Sequence, residues 1–308
     1  MSRLLVIGVG LIGGSFAGGA RDAGLFAEVI GADADADNLA RAQQLGLINQ
    51  SLADWQAAIP NVDAVLVAVP PGVVVNVLSQ VFQAGLPDHA LVFDATSTKS
   101  SVVSGLQREL AGLPANFVPV HPMAGSELQG PAAARPDLYQ NSQVFLTPTT
   151  DTAPDAVAKV RSWWEQLGAS CHEIDAAQHD AMAALSSHLP HLLASAYMAF
   201  LGTAARREGV TDDTKPHTSS TALTPFAGPG LRDFSRIAAA EPTLWRDIFA
   251  ANRHLLLDEL DELLVHLGRI RAELAAEQDD ALVRMLTDGR DLRRQLARHL
   301  PNWRADSD

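Results

Sequence analysis

The sequence predicts an α/β domain built on a parallel sheet, followed by an all-helical domain. Three observations carry this expectation. Short β-rich apolar runs at 4–9, 28–31, 64–69 and 90–94 alternate with helical patterns at 13–23, 36–45 and 73–82, the spacing of βαβ units. The runs lack polar alternation, which suits a sheet covered on both faces. After Asp175 the strand signal stops and long Ala- and Leu-rich helical patterns take over.

The later elements follow in order. Strands are expected at 117–120, 143–146 and 171–174, with a helix at 154–167 whose Pro154 sits in the first turn, where a missing N–H is harmless. Residues 176–207 read as helix with a kink at Pro190. Residues 211–230 are rich in Thr, Ser, Pro and Gly and read as an ordered loop. From Pro242 a long helix is expected, because Ile248, Phe249, Asn252, Leu255, Leu256, Leu260, Leu263, Leu264, Leu267, Ile270 and Leu274 recur at three-and-four spacing. A last helix spans 278–296. The domains are therefore 1–174 and 175–308. The wide apolar stripe of the long helix can pack within its own domain or against a second copy; a homodimer through the helical domain is the expectation, since few long helices make a small core alone.

Composition narrows the function. The 308 residues are 47% hydrophobic and 19% charged, a globular balance. No apolar run approaches the ~20 residues that span a bilayer, and the opening MSRLLVIGVG has no cleavable signal pattern, so a cytoplasmic protein without a membrane partner is expected. The single Cys171 excludes an internal disulfide and cysteine-based metal clusters. A net charge of −13 with only three lysines argues against nucleic acid as a partner.

Gly8, Gly10 and Gly13 follow the first strand and open a helix, as in a Rossmann-type dinucleotide-binding turn. The first makes the tight turn, the second lets backbone approach a pyrophosphate, and the third lets helix and strand pack closely. N–H groups at the helix start then face the phosphates. Asp33, twenty residues on at the end of the second strand, can accept the ribose hydroxyls and so selects NAD. Asp35 and Asp37 make a 2′-phosphate still less welcome, so NADP is the lesser choice. The cofactor-contacting set is Gly8, Gly10, Leu11, Ile12, Gly13, Asp33, Val69 and Pro70.

A dinucleotide fold names no reaction. Ser97 and His121 lie at strand ends, where ligands of open α/β sheets sit. An imidazole there suits removal of a hydroxyl proton as hydride leaves the same carbon; a histidine that merely caps its loop is the plain alternative. His188 and His191 stand three apart on one helical face. No third ligand of suitable spacing accompanies them, so no metal is expected. Arg232, Asp233, Arg236, Arg246 and Asp247 suggest an anion clamp, or else a surface ion-pair network.

The segments GVGLIGGS, HPMAGSELQG, SHLPH, LRDFSRIA and LWRDIF, in this order along nearly the whole chain, resemble the prephenate/arogenate dehydrogenase family of tyrosine biosynthesis. The resemblance implies NAD-dependent oxidative decarboxylation of prephenate to 4-hydroxyphenylpyruvate, of arogenate to tyrosine, or of both. It implies His121 as the catalytic base and Ser97 as a second contact to the ring hydroxyl. It also implies Arg236 on the ring carboxylate, Glu127 and Asp233 in the site's ion network, His191 on the side chain with Ser187 and His188 close by, and Trp245 near the pocket. The stretch Phe226–Leu231 departs from the family's glycine-rich pattern, and Thr96–Lys99 from its usual turn, which bears on pocket shape. Neither end leaves room for a fused mutase or regulatory domain, so tyrosine is expected to inhibit at the active site. A different NAD(P)-dependent hydroxyacid dehydrogenase and a non-catalytic NAD-sensing module are the alternatives. The first needs a helical-domain lysine, whereas Lys215 precedes Pro216 in a loop, and the second has no use for His121, Ser97 and Arg236 together.

Overall fold

The computed structural model describes residues 2–125, 128–207 and 223–299. Strands β1 (Arg3–Ile7), β2 (Glu28–Ala32), β3 (Gln50–Ser51), β4 (Ala64–Val67), β5 (Leu91–Asp94) and β6 (Phe117–Val118) form one parallel sheet, ordered β3-β2-β1-β4-β5-β6. Helices α1 (Leu11–Asp22), α2 (Ala36–Gln44), α3 (Pro71–Gln83), α4 (Ser100–Glu109) and α5 (Pro154–Gln166) accompany it. Side-chain alternation along each strand builds two cores. Leu4, Val6, Leu66, Phe93 and Val118 pack with Phe16 of α1 and Trp163 and Trp164 of α5. Leu5, Ile7, Val65, Val67 and Val92 pack on the opposite face with Val74 and Leu78 of α3 and Leu106 of α4. The strand order reverses between β1 and β4, and the crevice beyond their carboxyl ends is where this architecture takes a ligand.

The strand expected at 117–120 is divided between two sheets. Pro119 has no N–H to give to a ladder, and the Val120 N–H is taken by Asp94 Oδ1 at 3.1 Å. Val120 therefore begins a second sheet, in which β7 (Val120–Met123) runs antiparallel to β8 (Gln143–Leu146) and β8 parallel to β9 (Ser170–Glu173).

The helical segment from 176 to 207 is irregular just ahead of Pro190, where the kink was expected. It comprises α6 (Ala176–Ala183), a wide turn over Ala184–His188, and α7 (Leu189–Arg207). The Leu189 N–H reaches back five residues to Ala184 O, and Pro190, which lacks an N–H, follows immediately. The irregularity thus precedes the proline, and such wide turns recur at functional sites.

Of the loop expected at 211–230, residues up to 222 lie outside the described residues. Pro229 and Gly230 open a helix, α8 (Pro229–Ser235), with proline in the first turn. The long helix expected from Pro242 is two helices, α9 (Pro242–Ala251) and α10 (Arg253–Ala275), before α11 (Asp279–His299). The interruption is Asn252, at φ −118° and ψ 27°. Its buried amide donates to Asp180 O at 2.8 Å and meets His188 Nδ1 at 3.1 Å. Leaving helical geometry is what lets this side chain satisfy both groups.

The residues through Arg253 form one compact unit, which holds both sheets and α1 to α9; those from His254 onward form a second. Along the second unit Leu257, Leu264, Val265, Leu274, Leu286 and Leu292 are exposed. No described helix is long and apolar enough to cross a membrane.

Candidate active site

The glycine turn is built around one steric demand. Gly8 has φ +94°, and a Cβ there would stand 2.3 Å from the Ala68 carbonyl oxygen, so only glycine fits. At Gly10, which precedes α1, nothing lies within 4 Å of an added Cβ. That open space sits beside the N–H groups of Leu11 and Ile12, which have no partner within the helix, and α1 carries no acid in its first turn. A pyrophosphate fits this cradle. Asp33 accepts the Val9 N–H at 2.9 Å through Oδ2 and the Asp35 N–H at 2.9 Å through Oδ1, so its carboxylate is held between the glycine turn and the start of α2. Asp35 itself caps α2, accepting the N–H groups of Asp37 and Asn38. Val69 and Pro70 follow β4, and Pro70 is the residue before α3.

At the end of β5 a buried knot holds the next strand. Lys99 is fully buried; its Nζ meets Asp94 Oδ2 at 2.5 Å, Thr96 Oγ1 at 3.1 Å and Val120 O at 2.6 Å. Thr96 Oγ1 donates to the same Asp94 oxygen. Both backbone groups of Val120 are thereby held, and His121 is the next residue. The imidazole is 7% exposed, and its Nδ1 lies 2.9 Å from His179 Nε2. His179 Nδ1 lies 2.9 Å from Asp180 Oδ1. Burial drives the His121 pKa well below the usual 6.5, assisted by the nearby His179, Lys99 and His188. The ring is therefore neutral at physiological pH, which a base requires.

The helical side presents a second group of aromatic and basic residues. His191 Nδ1 donates to Ser187 O at 3.1 Å, which leaves Nε2 as an acceptor. Burial lowers the His191 pKa, the Ser187 carbonyl opposes this, and Arg236 lowers it again. Arg236 therefore stands near His191. Trp245 stacks on His191 and meets His188 edge-on. His188 is fully buried, and its Nε2 has no hydrogen-bond partner among the described residues.

Not every expected site residue joins these groups. Glu127 lies outside the described residues. Ser97 is half-buried, and no hydrogen bond joins it to His121. Asp233 is exposed and paired with the adjacent Arg232 at 2.9 Å, and Arg246 pairs with the adjacent Asp247 at 2.7 Å. The expected clamp is thus, for the most part, a pair of local ion pairs. His179, Asp180, Asp94, Lys99 and Asn252 were not singled out as site residues from the sequence, although Asp94 and Lys99 bound the motif that contains Ser97.

Profiles described as prephenate dehydrogenase, nucleotide-binding domain, and prephenate dehydrogenase, dimerization domain, match residues 16–173 and 175–288. The chain belongs to the prephenate dehydrogenase family. Among curated relatives of this family, the cyclohexadienyl dehydrogenase of Zymomonas mobilis is 31% identical over 281 residues, covering 91% of each chain. The Aquifex aeolicus prephenate dehydrogenase, solved with hydroxyphenyl propionate and NAD+, superposes with TM-score 0.83 at 28% identity over 96% of this chain and 98% of its own. The arogenate dehydrogenase of Synechocystis gives TM-score 0.74 at 26% identity, over 96% and 99%. In this prephenate dehydrogenase family chain, His121, the glycine turn and the His191–Trp245 stack all belong to the first compact unit.

Proposed function

We propose that the protein oxidises and decarboxylates prephenate, arogenate or both with NAD, yielding 4-hydroxyphenylpyruvate or tyrosine. The observation that supports this reading is His121, a buried imidazole whose pKa burial holds well below 6.5, just past the carboxyl edge of the parallel sheet, in a chain whose family is prephenate dehydrogenase.

In this reading residues 1–174 hold the dinucleotide and 175–308 the ring acid and the dimer contact. Gly8, Gly10, Leu11, Ile12 and Gly13 receive the pyrophosphate, Asp33 the adenosine ribose, and Val69 and Pro70 the nicotinamide end. NAD, when bound, accepts the hydride from the carbinol carbon. His121 takes up the hydroxyl proton through Nε2, and Ser97 contacts the same oxygen. Arg236 grips the ring carboxylate, with Glu127 and Asp233 setting its charge surroundings. His191, oriented by Ser187 and backed by Trp245, reads the side chain, with His188 beneath. Aromatisation drives loss of carbon dioxide, so the protein's work is to align and to hold charge.

The exposed leucines of the second unit and the dimerization-domain match support a homodimer. Tyrosine shares the ring hydroxyl and side chain read by these residues, which supports competition at the active site. The single cysteine suits a reducing cytoplasm.

The test is NADH formation by the purified protein with prephenate and arogenate offered separately, each with NAD and with NADP. Turnover of either ring acid with NAD is expected and assigns the preference. Inactivity with both acids, in protein that binds NAD, would overturn the reading.

A further inference from the structure

His121 is the outermost of three buried groups joined in a row. We propose that His179 and Asp180 are its positioning residues: the Asp180 carboxylate fixes the tautomer of His179, which in turn keeps a proton on His121 Nδ1 and leaves Nε2 free to borrow the substrate's hydroxyl proton and give it back. The proposal rests on the reaction assigned above and extends it to two residues on α6.

The Asp180 side chain is 2% exposed. Its Oδ1 accepts the Lys99 N–H and its Oδ2 the Ser100 N–H, each at 2.8 Å. These are the donors at the start of α4, a helix with no side-chain cap and no acid in its first turn. Asp180 therefore caps α4 from another helix, an arrangement that favours the carboxylate. Burial pushes its pKa up, but the hydrogen bonds from His179, Lys99 and Ser100 outweigh this and hold it below the ordinary value. A carboxylate only accepts hydrogen bonds, so His179 Nδ1, at 2.9 Å, carries the hydrogen. In the neutral ring His179 Nε2 is then a lone pair, and His121 Nδ1, 2.9 Å away, must be the donor. Any other arrangement of a neutral pair puts two lone pairs or two hydrogens face to face. Phe145 stands opposite His121 in the β7–β8 register and packs edge-on against His179, with centroids 5.8 Å apart, which steadies the His179 ring.

The row ends inside the protein, and the reaction's stoichiometry explains why it can. Hydride leaves the carbinol carbon for NAD, and the ring carboxylate leaves as neutral carbon dioxide. The electron pair of the broken carbon–carbon bond enters the ring. The product is a phenol that retains its hydroxyl hydrogen, so no proton has to reach solvent. While His121 holds the proton, the positive charge faces His179 and, behind it, Asp180.

The test uses the full-length protein with wild-type turnover measured first, so that inactivity of the wild type counts against the assigned reaction alone. H179Q places an amide oxygen where Nε2 stood and keeps an acceptor for His121, whereas H179L removes it. With NAD affinity unchanged in both, kcat is expected to fall less than about tenfold in H179Q and about a hundredfold or more in H179L and D180N, with KM for the ring acid little changed. Equal losses in H179Q and H179L, or wild-type kcat in H179L, would overturn the proposal. Imidazole ¹⁵N spectra of the wild-type protein test it without turnover: both rings are expected to carry hydrogen on Nδ1. A His121 protonated on Nε2 would refute it even if every variant lost activity by misfolding.

Discussion

The His191 imidazole lies flat on the Trp245 indole, with centroids 3.5 Å apart and planes 20° from parallel. With Nδ1 committed to the Ser187 carbonyl, the indole is what fixes the direction of the remaining ring nitrogen. Aromatic stacking of this kind contributes about 0.5–1.5 kcal/mol beyond burial. Trp245→Leu is therefore expected to raise KM for the ring acid by about threefold to tenfold, with kcat and KM for NAD nearly unchanged. Initial-rate kinetics with each substrate varied in turn checks this.

Asp33 joins the glycine turn through the Val9 N–H and is the residue proposed to receive the adenosine ribose. A hydrogen bond to a charged group contributes about 1.5–3 kcal/mol. Asp33→Asn is expected to weaken NAD by about tenfold or more while weakening NADP less, so the ratio of kcat/KM values moves toward NADP. An unchanged ratio would remove Asp33 from the ribose site.

Burial lowers the His188 pKa to about 4, against about 6.5 in an unfolded chain. Between these values the unfolded state binds more protons. The stability that His188 contributes is thus complete above about pH 6.5 and is lost as pH falls toward 4, by on the order of 3 kcal/mol. Urea midpoints between pH 7 and pH 4.5 should fall less steeply in His188→Leu than in the wild type.

Lys99 and Asp94 form an ion pair from which water is excluded on all sides. Removing one partner of such a pair leaves an uncompensated charge and costs about 3–5 kcal/mol. Lys99→Met is expected to unfold at much lower urea, and Lys99→Met with Asp94→Leu to recover part of the loss.

Asp247 of α9 packs against the first turn of α3, where a Cβ on Gly72 would stand 2.6 Å from its Oδ2. Gly72→Ala is expected to destabilise by about 1–3 kcal/mol through overpacking. Asp247→Ala should relieve that clash, and a double-mutant cycle measures the coupling.

Much of the fold was legible because its causes are local. The runs around Val6, Leu66 and Phe93 alternate between two apolar cores, and Gly8 announces a turn that no other residue can make. Pro119 and Asn252 misled because their effects depend on partners distant in sequence: one breaks a strand next to Asp94, the other breaks a helix to reach Asp180 and His188. The same cause hid His179 and Asp180. Within α6 they are two polar residues on a helix, and their meaning comes from His121, 58 residues earlier on a strand. The charges around Arg232 and Arg246 were easy to see, but spacing alone could not show that neighbours in sequence would satisfy one another.

Only Pro119 separates the parallel sheet from the second one, and its carbonyl is itself bonded to the Thr147 N–H at 2.9 Å. His121 is therefore carried by strand pairing and not by a loop that insertion or deletion could re-angle. Its position is inherited from two sheets at once. The residues proposed to read the ring acid stand on separate helical pieces: His191 on α7, Trp245 on α9 and Arg236 in the short turn after α8. Adaptation to a new acid would then redraw the helical wall around a stationary base, and chemistry and selectivity could diverge without disturbing each other.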